Sequence, residues 1–161
     1  MNLLPFHSET LVSALSKAEV LEQLNKQTRE VDFLDKRSQY DQAVLFNGMV
    51  GKHGFRISKV VQKGDSFLPL ILGKVEDTAR GSILFLQYRL FPGALFFIVF
   101  WSIVLLAFSA FYFAVLQNFL FGGICLAVAI VNYLLAIFFF RRQVKISRNA
   151  FHQLINLQMK D

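Results

Sequence analysis

The run FFFRRQVKISR, Phe138 to Arg148, changes character in one step: three phenylalanines end an uncharged stretch, and four of the next eight residues are basic. Working backward, the 51 residues between Arg89 and Arg141 contain no Asp, Glu, Lys, Arg or His. A bilayer core takes roughly 20 apolar residues per helix. The stretch therefore has the length of two spans and a turn. Gln117 and Asn118 form its only adjacent amide pair and mark the turn, which predicts spans over about 92–116 and 119–140. Pro92 suits the first position of a helix, where its missing N–H is not needed. A soluble chain of 161 residues has too little else with which to cover 51 apolar ones.

Orientation follows from the basic flank. Lys and Arg collect on the cytoplasmic side of spans, and Arg89 precedes the first span while Arg141, Arg142, Lys145 and Arg148 follow the second. These five read as membrane-interface residues facing anionic headgroups. The predicted localisation is an integral, two-span membrane protein with both termini cytoplasmic, in a bacterial inner membrane or its equivalent. No cleaved leader is expected from the opening MNLLPFHSETL, which has neither a basic nor a long apolar region.

The net charge of +6 comes mostly from the tail. Residues 1–90 carry 12 Lys+Arg against 10 Asp+Glu, and residues 141–161 carry five against one. A cationic surface pressed against the bilayer, without aromatic interleaving, suits lipid and reads against nucleic acid as a partner.

Four divisions of the chain are expected: a helical arm over 1–40, a β-rich module over 41–90, the hairpin over 91–140, and a basic tail over 141–161. In the arm, Ser8 to Gln27 reads as a helix, with Ser16 and Glu19 at capping-box spacing. From Ala43 the period shortens to runs rich in Val, Ile, Leu and Phe, separated by GKHG, QKGDS and EDTARG, which is turn chemistry. An antiparallel meander of about four strands results. Pro69 cannot donate to a ladder, which places its strand at an edge or a bulge. Such a sheet needs a cover. In the tail, QVKIS alternates like a fifth strand, and Ala150, Phe151, Leu154, Ile155 and Gln158 share a helical face. The fold class expected is thus α+β, with a transmembrane hairpin attached to, and inserted into, a small antiparallel β-meander domain. The competing reading makes 144–159 one amphipathic helix lying on the membrane.

Chemistry-bearing constellations are sparse. His7, His53 and His152 lie far apart in sequence without ligand-spaced partners. The single Cys125 allows neither an intrachain disulfide nor a cysteine-based metal site. Asp32 with Asp35, and Glu76 with Asp77, are paired carboxylates without a nucleophile or signature motif beside them. GMVGKHG, 48–54, lacks phosphate-loop spacing. No catalytic residue, metal ligand or cofactor is assigned, and the chain reads as a non-enzyme.

Within the spans, Ala110 with Ala114 and Gly123 with Ala127 are small residues four apart, a spacing that permits close helix approach. Asn132 lies about 13 Å before Arg141 at 1.5 Å per residue. Its amide needs a partner, from Ser102, Ser109 or a second copy. Trp101 sits deeper than an interfacial belt. The layout is similar to that of bacterial membrane effectors in which a cytoplasmic sensor drives assembly in the bilayer. The function expected is a β module that senses or binds a ligand or protein partner, joined to spans that self-associate into a homo-oligomer. A plain anchor for an interaction module and an oligomeric pore component are the alternatives.

Overall fold

The structure is a computed structural model and describes residues 5–29, 44–61 and 65–157. Among them are six strands in one mixed sheet and three helices, two of them long and apolar. The elements are β1 (Phe6–Ser13), α1 (Lys17–Lys26), β2 (Thr28–Arg29), β3 (Phe46–Val50), β4 (Gly54–Lys59), β5 (Pro69–Thr78), β6 (Gly81–Leu90), α2 (Pro92–Ala114) and α3 (Phe119–Leu157). The spatial order is β1-β6-β5-β4-β3-β2. Neighbours are antiparallel apart from the short parallel pair β2–β3. Strands β3 to β6 are the expected meander, with β1 added at one edge and β2 at the other.

Three expectations need correction. Ser8 to Gln27 is not one helix: its first part is strand β1, paired with β6 from Phe6↔Arg89 to Ser13↔Ser82. The apparent helical stripe through Leu11 and Leu15 gives way to β-branched Thr10 and Val12 and to a full ladder on β6, because strand formation follows context more than propensity. The helix begins at Ser16, whose side chain accepts from the Glu19 N–H while Glu19 reaches back to Ser16 N at 2.7 Å. The bonds that the Glu19 carboxylate accepts from Ser16 N–H and from the Ser16 hydroxyl hold that carboxyl below its ordinary range.

Pro69 is not at an edge or a bulge. It opens the interior strand β5, opposite Leu90 and one residue beyond the last β4 pair, Ser58↔Leu70, so its missing donor interrupts no bond on that side.

Residues 143–147 form no strand. They continue α3, a single helix of 39 residues. Val144 is 6% exposed and Ile146 38%, so burial there follows a period near 3.6 and not 2.

One face of the sheet carries Phe46, Phe55, Ile57, Ile71, Val75, Leu84, Leu86 and Tyr88, all buried. Val20 and Leu24 of α1 and Phe140, Val144, Phe151, Leu154 and Ile155 of α3 close over it as one core. Phe151 stacks on Phe55 at 5.6 Å and meets Phe46 edge-on at 6.3 Å. The described part of the tail therefore packs on the sheet wholly as helix.

Helices α2 and α3 pack as a hairpin through a short turn in which Gln117 takes φ 48°. Both are long and apolar enough to cross a membrane. Their large side chains point outward: Phe96, Phe119 and Leu120 are 70%, 72% and 71% exposed.

Candidate functional site

The site lies where side chains of α3 reach the edge strand β1. Inward-facing Glu9 of β1 has a side chain only 9% exposed. A buried carboxylate needs compensation, and three elements supply it. The Tyr88 hydroxyl of β6 donates to Glu9 Oε1 at 2.6 Å. Arg148 Nε of α3 pairs with Oε2 at 2.6 Å, an ionic contact off the N–H axis. One helical turn on, His152 Nε2 lies 3.2 Å from Oε1. His7, next but one to Glu9 on the same face, tilts its ring against Tyr88 at 5.7 Å.

Burial, and then the Glu9 carboxylate, push the Tyr88 hydroxyl far above its ordinary value. Tyr88 therefore keeps its proton and its hydrogen bond. The cluster holds an edge strand to a helix and presents no activated nucleophile.

No family model, curated protein or solved structure matches this chain. Its own geometry is the sole guide to what the cluster does.

The direction of α3 follows from its contacts. Near its entry to the domain, Gln143 donates to Asp65 and Phe139 stacks on Phe67 at 5.6 Å, at the Pro69↔Leu90 end of the sheet. By Arg148 and His152 the helix has reached the level of Glu9↔Leu86. Nine helical residues and four strand residues each advance about 13 Å. Helix and strands run side by side.

The sequence-derived residues fall into separate groups. Arg141, Arg142 and Lys145 are exposed on α3 just past Phe140. Arg89 is exposed at the end of β6, bonded to Gln87 at 2.7 Å and lying 5.6 Å over the Phe6 ring. Arg148 joins the Glu9 cluster. The seam between α2 and α3 uses Ser109, Gly122, Ala129 and Ala136: Ser109 Oγ donates to the Gly122 carbonyl at 3.0 Å. A Cβ on Gly122 would meet the Phe113 ring at 2.8 Å, whereas one on Gly123 would meet nothing within 4 Å. Ala110, Ala114 and Ala127 are exposed, outside this seam. Asn132 is half-buried, and the two serines donate to backbone carbonyls, Ser102 to Ile98 at 2.8 Å and Ser109 to Gly122. Trp101 packs edge-on against Phe97 and Phe100.

Among the described residues no group of three His, Cys, Asp or Glu is placed to hold a metal. Glu76 pairs with Lys74 at 2.5 Å and Asp77 accepts from Lys17 N at 2.8 Å, so this carboxylate pair is divided between two structural contacts. Asp32 and Asp35 lie outside the described residues. Glu9 is the residue that sequence reasoning missed. It sat in a segment read as helix, and its partners are 79, 139 and 143 positions away.

Proposed function

We propose that the hairpin spans a bilayer, with the β module and both termini on its cytoplasmic face, and that the chain is a non-enzymatic membrane protein coupling partner or ligand binding to self-association of its spans. Support for the bilayer comes from the outward apolar side chains of α2 and α3: leaving a Leu or Phe in water costs about 1.5–3 kcal/mol against burying it. The basic flank of Arg89, Arg141, Arg142 and Lys145 supports the orientation.

The observation that carries the coupling is the continuity of α3. One helix forms half of the hairpin and then most of the cover of the sheet, with Phe140, Val144 and Phe151 in the core. A tethered anchor requires no such stiff joint. Here a change in how the module sits turns or tilts the span itself, and Asn132, Gly123 and Ala127 turn with it.

Inserting one to four alanines between Ile137 and Phe138 tests this. Each residue rotates the span by about 100° relative to the module. Energy transfer between labelled copies in nanodiscs should rise and fall with insertion length if the parts are coupled. A response independent of insertion length would leave the plain anchor as the better account, and a chain monomeric in every form would end the self-association reading.

A further inference from the structure

We infer that the free edge of β1 is a docking strand for an extended acidic peptide of another protein, added antiparallel to Phe6–Ser13. Among the described residues β1 pairs only with β6 and ends the sheet. Edges are normally blunted by proline, lysine, bulges or brevity. Strand β1 has eight residues, FHSETLVS, with none of these devices. Its one inward charge, Glu9, is held by Arg148, Tyr88 and His152, so it does not repel an incoming strand.

Membrane geometry argues against a second copy as the antiparallel occupant. The strands run beside α3, and α3 continues into the hairpin, so β1 stands roughly along the bilayer normal. An antiparallel pair of identical strands has its two-fold axis perpendicular to the strands, here in the plane of the bilayer. That operation would turn the second hairpin away from the membrane. An antiparallel partner must be a different chain, and main-chain pairing at an exposed edge is an established mode of peptide capture.

Charge and apolar surface describe the occupant. Around the Phe6 end of the edge, Arg89 stands exposed on the outer face, while Arg148 and His152 on the inner face are engaged with Glu9. Around the Ser13 end, Val12 is 76% exposed and Phe85, beside Thr10, is 41% exposed on the outer face. An antiparallel peptide therefore places apolar residues in its first half, against Val12 and Phe85, and carboxylates in its second half, against Arg89, all on the outer face.

This inference rests on the reading of the module as a partner-binding domain beside a bilayer. Its test is separate from span association. The full chain in nanodiscs is titrated with a fluorescent peptide, Thr-Val-Thr-Val-Thr-Glu-Ser-Glu, whose Val and Glu side chains share the face of Val12, Phe85 and Arg89, and with its Glu-to-Lys analogue. The acidic peptide should bind at least about tenfold more tightly, the scale of a charge reversal at an interface, and Arg89→Glu should remove the preference. Two further peptides carry N-methyl groups on alternate residues, one on the odd positions and one on the even. Strand addition uses the N–H groups of one set, so one peptide should lose binding and the other keep it. Equal binding of the Glu and Lys forms, both N-methyl forms binding like the parent, or no binding by any peptide overturns the proposal. Failure on any of these counts leaves the insertion experiment, and the self-association it reads, untouched.

Discussion

Phe151→Ala is the sharpest probe of the idea that α3 belongs to the domain. The ring has no exposed surface, stacks on Phe55 and meets Phe46 at its edge. Truncating a buried Phe costs about 3–5 kcal/mol, the lost transfer free energy and the cavity together. That is a large share of the roughly 5–15 kcal/mol by which a domain is stable. At 1.4 kcal/mol per factor of ten, amide exchange in β3 to β6 should accelerate by roughly a hundredfold or more. The apolar parts of α2 and α3 should keep their protection, since their seam of Ser109, Gly122 and Ala129 is far from the cavity. Phe138→Ala is the control: that ring is 62% exposed on the outside of α3, and its loss should leave the sheet unchanged. Exchange measured by mass spectrometry in nanodiscs reads all of these segments at once. Unchanged protection in β3 to β6 for Phe151→Ala would refute the reasoning, because the tail would then not be the cover of that sheet.

Other substitutions test other joints. Glu9→Leu leaves the Tyr88 hydroxyl without its acceptor and Arg148 without its counter-ion, and should lower the denaturation midpoint by an amount corresponding to about 1–3 kcal/mol. The raised value of Tyr88 gives a signed pH effect: above pH 10.0 the unfolded chain releases a proton that the folded chain retains, so stability should fall there. The difference between parent and Tyr88→Phe isolates that loss from the lysines, and parallel alkaline profiles for the two would contradict it. Gly122→Leu drives a side chain into the Phe113 ring and should destabilise the hairpin by about 1–3 kcal/mol, whereas Gly123→Leu should leave intrachain packing intact; steric-trap unfolding in bicelles separates the two. Ser16→Ala removes half of the capping box and should cost about 1 kcal/mol, read as lower protection confined to α1.

What could be read directly from the residues has a common physical origin. The hairpin is legible because 51 uncharged residues are a one-dimensional signal that needs no knowledge of neighbours. The meander is legible for a similar reason: its turns are local chemistry, and consecutive strands pair with each other. Strand β1 fails this test. It pairs with β6, some 70 to 80 residues later, and three of its four inward residues, His7, Glu9 and Ser13, are polar, so Leu11 alone makes no apolar alternation to announce it. QVKIS misleads in the opposite way. Two apolar residues two apart satisfy a strand over five positions, and only the continuation through Phe151 and Leu154 shows that the period is helical. The Glu9 cluster inherits both difficulties, since it joins the misread strand to the misread helix.

The order of the chain gives the proposed coupling its physical basis. The sheet is made first, the hairpin second and the cover third, so the core has two halves separated by a segment that the core itself does not contain. Its face of Ile57, Ile71, Leu84 and Tyr88 cannot be buried until residues after the hairpin return to it. When they return they do so on the same rigid helix that formed the second half of the hairpin. Hinges are loop or element-terminal residues that absorb backbone rotation, and none interrupts α3 between Phe119 and Leu157. Glu9 then fixes the rotational setting of that helix against the far edge of the sheet, through Arg148 on one turn and His152 on the next. Under the proposed coupling, torque on the span would reach the pair of buried Glu9 and half-exposed Arg148 beside the edge strand β1. On the same proposal, a peptide seated on that strand would act on the joint from the other side.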